Sequence, residues 1–99
     1  MSDLPVTCFT IYLVGSNTVS DYTGGYNWNN SVNYVYLSPA AGYGLSSAEV
    51  DNVLIDLALE TWSGLGRTCW LAGNNAARTA ASDAAVATLI ANNVGVTTN

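Results

Sequence analysis

Apolar and polar residues alternate in three short stretches of this chain. The stretches are residues 9–14, 33–38 and 68–72, and β-branched and aromatic side chains are frequent in them. Alternation with a period of two predicts β-strands. Gly15, Pro39 and Gly73 follow the three stretches at the same relative position, which predicts that each strand ends there. The residue pattern over 94–98 predicts a short fourth strand.

Two other segments have helical spacing. Ser46-Ser47-Ala48-Glu49 is a capping box, in which the serine hydroxyl and the glutamate carboxylate each accept a backbone N–H of the first turn. Apolar residues then recur on one face, which predicts a helix over 47–61. A second helix is predicted over 80–92, with Thr79 or Ser82 as its N-cap. Asn92-Asn93 would end it, because asparagine tolerates the left-handed conformation found at helix ends.

The three strand segments repeat one pattern of residue types. Each reads apolar, aromatic, Leu, small, turn-forming residue and then two small residues or Asn; the segments are 11–17, 35–41 and 69–75. Their leucines, Leu13, Leu37 and Leu71, are 24 and 34 residues apart, which is typical of solenoid repeats. Strands joined by such long connections pair in parallel.

These features together predict an α/β fold, a short curved solenoid with a parallel sheet and helices on one face; the leucine-rich-repeat-like character of this solenoid is what the resemblance described below implies. We expect four strands in chain order within a single domain over residues 1–99. The first repeat, 1–32, is loop-rich, and the other two repeats cover 33–66 and 67–99.

The segments 44–54 and 71–77, with Val96-Thr97-Thr98, resemble leucine-rich-repeat-like modules of bacteriophage structural proteins and of some bacterial surface proteins. The resemblance covers 33–99 well and 7–20 loosely. It implies a non-enzymatic virion protein, a decoration, fibre or connector, whose partners are other virion proteins or copies of itself. The alternative is a module of the bacterial cell surface that recognises a glycan or a protein. Such modules usually carry Gly-Trp where this chain has Asn93-Val94, and Asn93 can still end a helix.

Charge excludes several functions. Only 9% of the residues are charged against 49% hydrophobic, and the net charge is -5, with Arg67 and Arg78 as the cations. Two arginines cannot neutralise several phosphates, so we expect no nucleic-acid partner. No apolar run approaches the roughly 18 residues of a membrane span, and we expect no membrane partner and no secretory signal.

Candidate chemistry is sparse as well. The chain has no histidine, which is the commonest general base and metal ligand. Glu49, Asp56 and Glu60 fall on one side of the first predicted helix, but the sequence places no cation or apolar pocket beside them. We interpret them as a solvated helix face and predict no catalytic residue, no metal site and no cofactor.

Aromatic residues are the candidate contact residues. With the leucines on the core face, Tyr12, Tyr36 and Trp70 point to the other face, beside Tyr34. Strands about 4.8 Å apart would stack these rings into a ladder. The ladder either stiffens the sheet or forms a contact surface for a protein or a sugar. We favour a protein, because parallel sheets are normally covered on both faces.

The first crossover, residues 18–31, is predicted to be a loop whose composition suits binding. Its aromatic residues Tyr22, Tyr26 and Trp28 lie among asparagines, as in many paratopes. This loop either grips a partner or a glycan, or folds over one end of the solenoid as a cap.

Cys8 and Cys69 are predicted not to bond to each other. The second strand separates them, which puts their Cα atoms roughly 9–10 Å apart, beyond the disulfide limit of about 7 Å.

Overall fold

A parallel sheet in chain order forms the centre of the fold. In the part of the chain that the computed structural model describes (10–14, 32–39, 41–42 and 44–99, with only the backbone of 10–14), the sheet has four strands in the order β1-β2-β3-β4. The strands are β1 (Thr10–Val14), β2 (Tyr34–Ser38), β3 (Thr68–Leu71) and β4 (Gly95–Thr98). Helix α1 (Ser47–Ala58) joins β2 to β3, and α2 (Asp83–Ala91) lies between β3 and β4. The predicted α/β class and parallel pairing are confirmed.

The register of the sheet follows the repeat alignment. Tyr12 lies opposite Tyr36, and Tyr36 lies opposite Trp70 on the next strand. Leu13 lies opposite Leu37 in the same ladder. In a parallel sheet, residues paired in this way lie on the same face, so the leucines and the aromatic residues are on opposite faces.

The hydrophobic core lies between the leucine face of the sheet and the helices. Val35, Leu37, Cys69 and Leu71 from β2 and β3 are fully buried there. They belong to one cluster with the apolar side of α1 and with α2, which contribute Val50, Val53, Leu54, Leu57 and Leu89. Burial of each large aliphatic side chain stabilises the fold by roughly 1.5–3 kcal/mol.

Helix α1 begins as predicted and ends earlier than predicted. The Ser46 hydroxyl accepts the Glu49 N–H at 3.2 Å, and the Ser46 N–H donates to the Glu49 carboxylate at 2.9 Å. The predicted end at residue 61 is wrong, since the helix stops at Ala58. Trp62 contributes to this end, because its buried indole N–H donates to the Leu57 carbonyl at 2.9 Å, which also accepts the Glu60 N–H at 3.2 Å.

Residues after α1 are extended because they pair with the chain just before β2. The Val32 N–H donates to the Thr61 carbonyl at 2.8 Å, and the Ser63 N–H donates to the Val32 carbonyl at 2.9 Å. This bridge between Val32 and Trp62 lies outside the predicted strands. It requires an extended backbone where the helix was predicted to continue.

The second predicted helix, 80–92, is two elements rather than one. A 3₁₀ turn covers Ala80–Ser82, and α2 follows from Asp83. Of the two proposed caps, Thr79 acts as one, because its hydroxyl accepts the Ala81 N–H at 3.2 Å. The Ser82 side chain makes no cap bond, since it is buried and donates elsewhere.

The end of α2 confirms the prediction for the two asparagines. Asn93 adopts a left-handed conformation with φ of 61°. The Asn93 N–H donates to the Ile90 carbonyl and the Val94 N–H to the Leu89 carbonyl, at 2.9 and 3.0 Å, the pair of bonds of a Schellman motif. Val94 is buried against the core and directs the chain into β4.

Asparagine side chains connect successive turns. The buried Asn75 amide donates to the carbonyls of Leu37 and Ala72 at 3.0 and 3.2 Å and accepts the Leu45 N–H at 3.0 Å. The turn after β3 is thereby fixed to the end of β2. Gly44 lies so close to this turn that a Cβ there would overlap the Asn74 carbonyl.

Replacement of Asn75 should therefore lower the free energy of unfolding by more than the size of its side chain suggests. Asn75→Ala leaves backbone groups of Leu37 and Leu45 without their partner, at about 1–3 kcal/mol for each one left unpaired in the interior. We expect a clearly lower free energy of unfolding in urea, whereas Asn74→Ala, at an exposed residue with one bond to the Pro39 carbonyl, should change it little. Equal effects of the two variants would contradict the role assigned to Asn75.

Candidate functional site: the aromatic face of the sheet

The sheet face opposite the helices carries a ladder of aromatic rings. Tyr36 and Trp70 stack with ring centroids 4.5 Å apart and planes at 15°. Tyr34 and Tyr36 also stack, at 6.3 Å and 11°. All three side chains are half-buried. We call this surface, with Tyr12 added by its register opposite Tyr36, the aromatic face.

The stacking determines what the aromatic face presents to its surroundings. Since the ring planes are nearly parallel, Tyr36 and Trp70 cover part of each other's faces and leave ring edges outward. The turn after β3 also approaches the indole: a Cβ at Gly73, whose φ is 66°, would lie 3.0 Å from Cη2 of Trp70. The result is a rigid apolar ridge across β2 and β3, and such pairs contribute roughly 0.5–1.5 kcal/mol beyond their buried area.

The structure brings together one of the two predicted sets of contact residues. Tyr34, Tyr36 and Trp70 form the ladder expected of them. For Tyr12 the backbone register agrees with the ladder. The second set, Tyr22, Tyr26 and Trp28, lies outside the described residues, and so does Cys8. Their roles stay predictions.

The three carboxylates interpreted as a solvated helix face do not form one. Glu49 belongs to the capping box of α1, and Glu60 lies beyond the end of the helix. Asp56 is buried, with 7% of its surface exposed, so the prediction of a solvated position is wrong for it. Across the described ranges no group of three metal-ligating side chains comes together.

Cys69 is a free thiol buried in the core. Burial raises the pKa of this thiol to about 12. The side chain is therefore a neutral, unreactive part of the core at physiological pH.

Asp51 is the polar residue that the sequence analysis missed. It lies on the side of α1 that faces the start of α2, and only 5% of it is exposed. Its carboxylate accepts the Thr79 N–H at 2.8 Å, the Thr79 hydroxyl at 2.5 Å and the Ser82 hydroxyl at 2.6 Å. Thr79 and Ser82 are three residues apart, a spacing that places both hydroxyls on one side of a helical turn. The sequence does not show which residue these hydroxyls would contact.

The environment of Asp51 favours its charged form. Burial raises its pKa, but hydrogen bonds from Ser82 and Thr79 outweigh this effect and, with the positive charge of Arg78, hold the pKa below its ordinary value. Arg78 is itself paired with Asp83 at 2.6 Å on the surface. Asp51 thus joins the last repeat to α1, a structural role.

The described part of the chain has surface concavities, and two of them contain no reactive pair of side chains. A cleft of about 280 Å³ between α1 and the start of α2 is lined by apolar residues and one threonine: Ile55, Ala58, Leu59, Ala81, Ala84, Ala85 and Thr88. A second of about 220 Å³ is lined by the loop 64–67 and Asn93. The Arg67 guanidinium at this second site donates to the carbonyls of Gly64 and Asn92.

Comparisons with known proteins leave the function to be argued from the site. No family model, no curated protein and no solved structure matches this chain. Among the described elements, neither α1 nor α2 has the length and apolar character needed to cross a bilayer.

The contribution of Asp51 to stability should depend on pH. Because its folded pKa is lowered, Asp51 stabilises the fold fully above its unfolded pKa, near 3.8, and this stabilisation is lost as the pH falls through the lower folded pKa. At pH 7, Asp51→Asn should reduce the free energy of unfolding by about 1.5–3 kcal/mol, the range for hydrogen bonds to a charged group.

Urea unfolding of wild type and variants at pH 7 and at pH 2–4 measures this effect. The difference between wild type and Asp51→Asn should shrink in acid. Asp83→Asn is the control, since it removes a surface ion pair worth about 0–1 kcal/mol. A difference for Asp51→Asn that is constant across this pH range would contradict the assignment.

Proposed function

We propose that this chain is a non-enzymatic structural protein of a bacteriophage particle, a decoration, fibre or connector, which acts through protein–protein contacts made by its aromatic face. Its partners are other virion proteins or copies of itself. The observation that carries the proposal is a parallel sheet with a helical layer on its leucine face and a ladder of aromatic rings on the other.

The physical reason is the usual need of a parallel sheet for cover on both faces. α1 and α2 pack on the leucine face. On the opposite face Trp70 is only half-buried, although its indole is among the largest apolar groups of the chain. Aromatic residues of this kind are enriched at the centres of protein interfaces.

A leucine-rich-repeat-like solenoid is the finer description of the fold that we adopt. Parallel strands in chain order, in-register leucines and asparagines that connect successive turns support it. The virion assignment is supported by the resemblance of residues 33–99 to modules of bacteriophage structural proteins. It agrees with a contact surface that is apolar and rigid.

A protein partner suits the aromatic face better than a sugar. Stacking on a sugar needs an exposed ring face, and the contact between Tyr36 and Trp70 at 4.5 Å already occupies one face of each ring. Outward ring edges and the apolar ridge suit packing against side chains. The alternative, a bacterial cell-surface module that recognises a glycan or a protein, would use Tyr22, Tyr26 and Trp28 of the first crossover.

Truncation of Trp70 tests the proposal directly. Trp70→Ala should leave the isolated fold largely intact, because the indole lies outside the core, and should weaken assembly. Loss of a central tryptophan typically costs roughly 2 kcal/mol or more, which raises the dissociation constant about 30-fold. Analytical ultracentrifugation of wild type and variant, with circular dichroism for the fold, measures both.

Leu65→Ser is the matched control. Leu65 is 96% exposed in the loop before β3 and is not one of the residues of the aromatic face, so its loss should leave assembly unchanged. Equal weakening by both variants would contradict a specific role of Trp70. So would a wild-type chain that stays monomeric at high concentration and has nothing covering Trp70 in its native particle. Tight, selective binding on a glycan array would favour the alternative.

A further inference from the structure

We infer a second association surface, the edge of β4 that no other described strand occupies, which accepts β1 of another copy of this chain in a head-to-tail arrangement. This edge is distinct from the aromatic face and does not require it. Each copy would add its four parallel strands to the sheet of the copy before it.

The hydrogen-bonding groups of β4 alternate between its two sides. The Gly95 N–H donates to the Arg67 carbonyl at 2.9 Å, on the β3 side. Because successive residues of a strand direct their backbone groups to opposite sides, Gly95 and Thr97 face β3, and Val96 and Thr98 face outward. Among the described residues β3 is the one strand that pairs with β4. The outward groups therefore form a template for another strand.

The four-residue β4 edge lacks two of the features that usually prevent strand addition, charged residues and proline. Such features are edge lysines, prolines, bulges and inward charges. Gly95–Thr98 contains no charged residue and no proline. Ile90 on α2 is 59% exposed and, by helical spacing, projects from the side of α2 opposite the residues that line the cleft with α1. This end of the molecule thus combines a strand edge that no other described strand occupies with exposed apolar surface.

The end of β4 is also held in place before any partner arrives. The Asn99 side-chain amide donates to the carbonyls of Gly73 and Asn75, at 2.9 and 2.6 Å. Asn75 connects the turn after β3 to β2 in the same manner. An edge that is already ordered loses less conformational entropy when a strand is added.

The strand that best continues this sheet is β1 of a second copy. The sheet grows by one parallel strand at a time in chain order, and β1 is its other edge strand. Thr10–Val14 is uncharged and has the same alternation as β2. Placed after β4, it would put Ile11 and Leu13 on the side of Val96 and Tyr12 on the side of Thr97. This contact joins two different surfaces, so it generates open chains of molecules rather than closed dimers.

Two substitutions at one position test the inference. Thr98→Pro removes an outward N–H and none of the bonds to β3, and proline is tolerated at sheet edges. Thr98→Val keeps that N–H and the β-branched shape. By sedimentation velocity over a range of concentrations, wild type and Thr98→Val should form a series of species beyond the dimer. Thr98→Pro should form no species beyond the dimer, with an unchanged circular dichroism spectrum.

A mixing experiment separates this edge from the aromatic face. Thr98→Pro keeps its β1 edge, so a small amount added to wild type should terminate the chains and lower their mean size. Assembly of Thr98→Pro equal to that of Thr98→Val would overturn the inference, as would a wild type that never exceeds a monomer or a dimer. If Trp70→Ala prevents assembly and Thr98→Pro does not, the edge inference fails while the proposed function stands. If instead Thr98→Pro prevents assembly and Trp70→Ala does not, the result supports association through the β4 edge and shows that the aromatic face does not mediate self-association.

Discussion

In-register parallel pairing of β2 with β3 is the constraint on which the rest of this structure depends. It sets Val35 opposite Cys69 on the core face and Tyr36 opposite Trp70 on the other. One residue of slip would exchange the two faces of a strand and move aromatic rings into the core. The register therefore creates the hydrophobic core and the aromatic face together.

Buried polar side chains hold this register at the ends of the strands. Asn75 connects the turn after β3 to the Leu37 carbonyl near the end of β2, and Asp51 connects α1 to the residues that open the next helical segment. No buried side-chain polar atom in the described ranges is without a hydrogen-bond partner. Each of these two side chains meets residues about 30 positions away along the chain. They fix segments that are distant in sequence to one another where apolar packing alone would allow sliding.

Features that depend on nearby residues were predictable from the sequence. The capping box of α1, the left-handed Asn93 and the alternation within each strand are local, and the repeat alignment extended them to the register of Tyr36 and Trp70. The end of α1 was not predictable in this way, because it depends on the Trp62 indole and on pairing with Val32.

The polar residues show the same limit. A helical wheel of α1 shows on which side of the helix Asp51 and Asp56 lie, but not which residues cover that side. Asp51 proved to be a buried acceptor for Thr79 and Ser82, and Asp56 proved to be buried rather than solvated. In the candidate site, the aromatic ladder could be predicted from the sequence periodicity. Stacking requires only that the rings be in register and on the same face of the sheet.

Hydroxyl-radical footprinting of the tryptophans, read by mass spectrometry, tests most directly whether the aromatic face is a contact surface. Trp70 is half-buried on that face, and Trp62 is 6% exposed inside the core, so Trp62 is an internal control in the same molecule. Trp70 should be oxidised in the dissociated chain and protected in the assembled particle, while Trp62 is protected in both. Equal oxidation of Trp70 in the two states would show that the ladder serves only to stiffen the sheet.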